Sequence, residues 1–168
     1  MKCLSLWQPW ATLIAIGAKR IETRHWSTDH RGPILIHAAK KWNLDLGCMC
    51  AQIPFIDHLT ANGYYPGPTK GWGLPFGAII AVVDLWDCVP TSSLNAAGIR
   101  VNEPERSFGD FSDGRWGWMT RDLRRFPDPI PFKGHQQLFN VPDELVADQL
   151  AKAAPGTADL PIGRQVPA

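Results

Sequence analysis

The chain lacks any cysteine spacing suited to metal or disulfide chemistry. Cys3, Cys48, Cys50 and Cys88 form no C-x-x-C pair, which argues against a zinc site or a disulfide framework. Small buried apolar residues in a reduced compartment are the expectation for them. No secretory h-region is recognisable, and the histidines show neither HxxxH nor HExxH spacing. No metal or cofactor is therefore expected. Long apolar runs are missing too: the longest, GAIIAVV, is far too short to span a bilayer. A soluble, cytoplasmic protein with no membrane partner is expected. Charge of one sign is also lacking. The formal net charge of +1 gives no global field that would draw in nucleic acid or an anionic surface, so any affinity for phosphate has to be local.

One local cluster exists. Between residues 19 and 41, Lys19, Arg20, Arg24, Arg31, Lys40 and Lys41 stand against Glu22 and Asp29. Tryptophan, by contrast, is abundant, with eight in 168 residues, more than core packing ordinarily requires. The stretch WQPWATLIAIGAKRIETRHW combines three of them with these charges.

Along the chain, CLSLW reads as a strand. Pro9 suits the first turn of a short helix and Gly17 its left-handed exit. RIETRHW alternates, placing Ile21 and Thr23 on one strand face and Glu22, Arg24 and Trp26 on the other. GPILIHAAK and FGAIIAVVDLW are apolar on both faces, as central strands are. Asp84 in the second of these is expected to be a buried, hydrogen-bonded carboxylate, and His37 in the first a hydrogen-bonded core residue. Residues 43–62 read as helical with a break at Pro54, and NGYYPGPTKGWGLP as a loop. RWGWMTRDLRRF resumes as a strand, PDPIPFKG turns, HQQLFNVP is the last strand, and a helix follows near 143–153. One domain over residues 1–150 and a flexible tail over 151–168 are expected. Short strands with brief helices favour an α+β fold built on a small, mostly antiparallel barrel.

Two segments carry the chemistry. On the Glu22–Arg24–Trp26 face, an indole can stack on a planar ring while the charges bond its edges or phosphate. In FGDFSDGRWGWMT, Asp113-Gly114 marks a tight turn, after which Arg115 precedes Trp116 and Trp118 on one strand face. One recess lined from both segments is the economical reading. Trp10, Arg24, Trp26, Arg31, Arg115 and Trp116 are the candidate binding residues, with Lys19 and Glu22 as candidate catalytic ones. Lys40 and Lys41 read as a solvated strand end able to meet phosphate.

Gln8-Pro9-Trp10, then Gly17, Lys19, Glu22 and Arg24 in a G-x-K-x-x-E-x-R run, then Trp26, Thr28 and Arg31-Gly32 leading to His37-Ala38, together resemble the ASCH domain family. The similarity extends in motif order to about residue 142, with no counterpart for residues 43–70. It implies a PUA-like β-barrel with a ligand cleft beside the G-x-K-x-x-E-x-R element. It also implies nucleic acid, in single strands, or a modified nucleotide as partner. Some relatives instead remove the acyl group from N(4)-acetylcytidine, and others are described as ribonucleases. The amidohydrolases' nucleophilic threonine corresponds to Glu22 here, and Thr23 faces the wrong way to replace it. Hydrolysis would then need Glu22 as general base with Lys19 stabilising an oxyanion, and Asp84 or Asp110 as second acid. A protein-interaction adaptor with an inert cleft is the third alternative.

Overall fold

A computed structural model describes residues 1–67 and 70–153. Six strands form one sheet: β1 (Lys2–Leu6), β2 (Ile21–Arg24), β3 (Gly32–Ala38), β4 (Ala78–Pro90), β5 (Trp116–Pro131) and β6 (Leu138–Asn140). Their order is β2-β5-β4-β3-β1-β6. Only the β1–β3 pair is parallel, so the mostly antiparallel α+β expectation holds. The sheet curls into a half-barrel, with β2 and β6 as its free margins.

The curl has a local cause. Between β4 and β5 the register shifts at Ile79/Ala81, Val82/Asp84 and Leu85/Asp87, and each such irregularity bends and twists the ladder. At the first shift, consecutive Ile80 and Ala81 both enter the same core. That inner core also takes Leu4, Leu6, Ile34, Ile36 and Trp118. Helix α1 (Trp10–Ala15) plugs it with Ala11 and Ile14. On the opposite face Cys3, Leu35, Ile79 and Val82 pack with Phe126 and Val146. Both-face burial of β3 and β4 is thus borne out.

Gln8 explains why glutamine stands before Pro9-Trp10. Wholly buried, its side chain accepts from the Thr12 amide at 3.1 Å and donates to the Pro75 carbonyl at 2.8 Å. It therefore supplies the helix with an N-terminal acceptor from outside the first turn. The 43–62 segment splits as expected into α2 (Leu44–Cys50) and α3 (Phe55–Ala61), with Pro54 immediately before the second helix. These two helices pack Cys50, Phe55 and Leu59 against Leu13 of α1 and Phe108.

Three expectations are corrected. PDPIP continues β5 to Pro131 instead of turning; the last strand shrinks to Leu138–Asn140. Asp84 is partly exposed and pairs with Arg121 at 2.9 Å across the β4–β5 ladder, so its partner is a surface cation. Cys48 is exposed, while Cys3, Cys50 and Cys88 are buried and none is bonded. Burial pushes the Cys3 and Cys50 thiols up to about 12, which leaves them protonated and unreactive. Helix α4 (Ala147–Lys152) reaches into the expected tail; residues 154–168 lie outside the described residues. Among the described residues no helix is long and apolar enough to cross a membrane.

Candidate functional site

Strand β2 is four residues long and lies on a sheet margin. It pairs with the start of β5, Glu22 opposite Trp118 and Arg24 opposite Trp116. The alternation read from RIETRHW is real: Ile21 packs with Leu94, Ile99 and Met119 on one side, while Glu22 and Arg24 face the other.

Buried charges organise the start of this strand. Lys19 is fully enclosed; its Nζ donates to the Ile21 carbonyl and lies 3.6 Å from Glu22 Oε2. Glu22 Oε1 lies in turn 3.7 Å from Arg24 Nη1. Glu105, in a one-turn 3-10 helix at Glu105–Phe108, accepts from the amides of Arg20 at 2.8 Å and Ile21 at 3.0 Å. Those amides open an edge strand, and the carboxylate supplies the acceptors a neighbouring strand would have given. Burial raises the pKa of Glu105, with the Lys19 ammonium acting against the rise. Glu105 was not singled out in the sequence; NEPERSF carries no periodicity that marks it.

The second segment meets the first at Thr23. Arg115 Nη2 donates to the Thr23 carbonyl at 3.2 Å, and the Asp110 amide donates to Thr23 Oγ1 at 3.1 Å. Arg115 Nη1 and Asp110 Oδ2 are 3.3 Å apart. The Asp110 carboxyl is held below its usual range by hydrogen bonds from Ser112 and then by Arg115. A glycine at 109 suits this junction, because a Cβ there would come 2.8 Å from the Phe111 ring and 3.3 Å from the Thr23 methyl.

Part of this constellation lines a cleft of about 1380 Å³. Glu22, Arg24, Trp26, Asp110 and Arg115 form its β2 side. Trp10, Met49 and Phe55 come from the helices and Gln52 from the link between α2 and α3, so these two helices contribute a wall. The far side is built by Ser5, Trp7, His37 and Lys40 together with residues 132–137, which lead into β6. The β2 margin and the segment leading into the β6 margin thus border one recess. Trp26 is steadied from beneath: its ring meets Trp118 edge-on at 4.6 Å, and Trp118 Nε1 donates to its carbonyl at 3.2 Å. Arg24 lies 5.9 Å from the Trp26 ring centroid.

A protein-family comparison matches the ASCH domain over residues 4–110, more than half of the chain. The chain belongs to the ASCH domain family. The matched span includes residues 43–70, for which the motif resemblance had no counterpart, and stops before β5. Activating signal cointegrator 1 of mouse and of human are each 25% identical to this ASCH domain over 143 residues. That alignment takes in 85% of this chain but only 22% of theirs. Among solved structures, the ASCH protein of Zymomonas mobilis aligns with 15% identity and a TM-score of 0.49, covering 92% of this chain and 96% of its own. At the level of the family, membership points to RNA or nucleotide binding.

Not every expected residue of this ASCH domain meets the others. Trp10, Glu22, Arg24, Trp26 and Arg115 converge on the cleft. Arg31 does not: it is drawn to Asp87 at 3.0 Å and to the carbonyls of Thr28 and His30. Trp116 packs partly buried against the inner core and is not among the cleft residues. Lys19 lies behind the cleft wall, not on it. His37 is buried and hydrogen-bonded as expected, its Nδ1 2.9 Å from Ser5 Oγ and its Nε2 3.1 Å from the Phe132 carbonyl, yet it also borders the cleft. Burial is the main cause lowering its pKa. Trp7, Lys133 and residues 134–137 were missed. Trp7 reads in sequence as the end of a strand, and the 133–137 segment reads as a turn. Among the described residues no group of three or more His, Cys, Asp or Glu is placed to hold a metal.

Proposed function

We propose that this ASCH domain binds a base of a single-stranded nucleic acid, or of a modified nucleotide, in the cleft between the sheet margins. Trp26 and Trp10 would supply flat apolar surface, and Arg24, Glu22 and Arg115 would bond the ring's polar edge or its phosphate. One observation supports this most. Arg115 and Asp110 are tied to Thr23, so two segments nearly a hundred residues apart present indole, carboxylate and guanidinium to one recess. Glu22 and Asp110 are outnumbered there by Arg24, Lys40, Arg115 and Lys133. That excess suits a polyanion despite the near-neutral chain.

A hydrolytic reading, deacylation of N(4)-acylcytidine, draws on the 3.6 Å approach of Lys19 to Glu22. The enclosure of Lys19 weighs against it, since its ammonium cannot reach a substrate oxyanion without the strand opening. The test is titration of single-stranded RNA and DNA oligonucleotides, followed by tryptophan fluorescence over a range of salt. Salt-dependent quenching that is lost in Arg115→Ala supports the proposal. Turnover of free N(4)-acetylcytidine abolished by Glu22→Gln would replace it with the hydrolase. Neither response would leave an inert adaptor.

A further inference from the structure

The cleft is larger than one base requires. Its volume of about 1380 Å³ exceeds the roughly 300–1,000 Å³ of small-molecule sites. Of the groups assigned to base binding, Glu22, Arg24, Trp26 and Arg115 occupy the β2 side and Trp10 the helix wall, and none lies on the far side.

The opposite side has its own equipment. Trp7, just beyond β1, is 48% exposed, although indole is among the side chains with most to gain from burial. Lys41 Nζ sits 3.5 Å from its ring centroid, which covers one face. Even with that cation in place Trp7 keeps this exposure, and it borders the cleft. Lys40 and Lys133 line the cleft with Trp7, while the carboxylates that line it, Glu22 and Asp110, both lie on the β2 side.

The segment carrying Lys133 is pinned in place. His37 Nε2 donates to the Phe132 carbonyl, and Ser5 Oγ holds His37 Nδ1. Gly134 seats against that pair, since a Cβ there would collide with the His37 ring and lie 2.6 Å from Ser5 Oγ. The Lys133 backbone is therefore fixed to the β1–β3 pair.

From this arrangement we infer that Trp7, Lys40 and Lys133 form a second subsite, where a neighbouring base stacks on Trp7 and the intervening phosphates meet the two lysines. The ligand is then a single strand of several nucleotides running across the recess, not an isolated nucleotide. This rests on the reading of the β2 side as a base site. It adds that affinity grows with strand length and that the growth depends on Trp7.

The test compares a nucleoside monophosphate with single strands of increasing length, by fluorescence anisotropy and calorimetry, on the wild type, Trp7→Ala and Lys133→Ala. In the wild type, the ratio of monophosphate Kd to that of a short oligonucleotide is expected to be about tenfold or more. Trp7→Ala should shrink that ratio at least about fivefold, the loss of one stacked base. Lys133→Ala should reduce the log–log salt slope by about 0.7, the loss of one phosphate contact on a single strand. Binding that depends on Arg115 but shows no length effect, or a length effect that survives Trp7→Ala, overturns the second subsite and leaves the base site standing. Failure of monophosphate and oligonucleotide alike to bind overturns both. Exposure of Trp7 and Lys133 makes misfolding an unsuitable explanation for either variant, and a thermal melt checks this.

Discussion

Replacing Lys19 with methionine isolates the electrostatics behind the cleft wall. Methionine keeps most of the stem volume, so the packing loss is small. What disappears is an ammonium 3.6 Å from Glu22, in a pair whose side chains are 0% and 10% exposed. Breaking such a buried pair by removing one partner costs about 3–5 kcal/mol. Glu105 makes the cost depend on pH. Burial already raises its pKa above the ordinary 4.5, and Lys19 is the strongest influence lowering it. A carboxyl with a raised folded-state pKa contributes stability that is present below its unfolded value and is lost as pH rises through the folded one. Without Lys19 that folded value climbs further, so more stability is lost on the way to neutrality. Lys19→Met should therefore be destabilised by about 3–5 kcal/mol near neutral pH, with the gap to wild type narrowing towards pH 4.5. Urea unfolding followed by tryptophan fluorescence, at neutral and acidic pH, measures both. A loss under about 1 kcal/mol at neutral pH, or a gap that ignores pH, would refute the idea that Lys19 compensates these carboxylates.

Other perturbations separate binding from stability. Arg115→Ala removes the tie to Thr23 and a charged contact to ligand; oligonucleotide affinity should fall about tenfold or more, with little change in melting temperature because the guanidinium is partly exposed. His37, with its pKa lowered chiefly by burial, contributes stability that is present above its ordinary value of 6.5 and is lost as pH falls below it. The melting temperature of His37→Gln should accordingly drop less on mild acidification than that of the wild type. Trp118→Phe leaves the Trp26 carbonyl without its donor and opens space in the inner core, for a cost of about 1–3 kcal/mol by chemical denaturation. The same variant should also weaken ligand binding, by loosening the indole above it.

Much of the fold was legible because burial on the two faces of β3 and β4 leaves unbroken apolar runs, and because alternation in RIETRHW assigns each side chain to a face. Pro54 marked a real break for the same reason: a local steric rule needed no distant partner. PDPIP misled because its three prolines suggest a turn, whereas register shifts let β5 continue past them to Pro131. In the site, alternation gave the correct face for Glu22 and Arg24 but said nothing of depth. Lys19 precedes the strand, and only the neighbouring carboxylates explain its enclosure. Arg31 and Asp84 were diverted by surface partners from other strands, Asp87 and Arg121. Trp7 and Lys133 border the same cleft because the segment after β5 is tied to His37 of β3, a contact spanning 95 positions between His37 and Phe132.

Ultraviolet cross-linking of a single-stranded oligonucleotide, with the adducts mapped by mass spectrometry, addresses the central claim most directly. Adducts on Trp26 and on the peptide holding Asp110 and Arg115 are expected, and on Trp7 with longer strands. Adducts confined to residues outside the cleft, such as those around Asp84 and Arg121, would contradict the account.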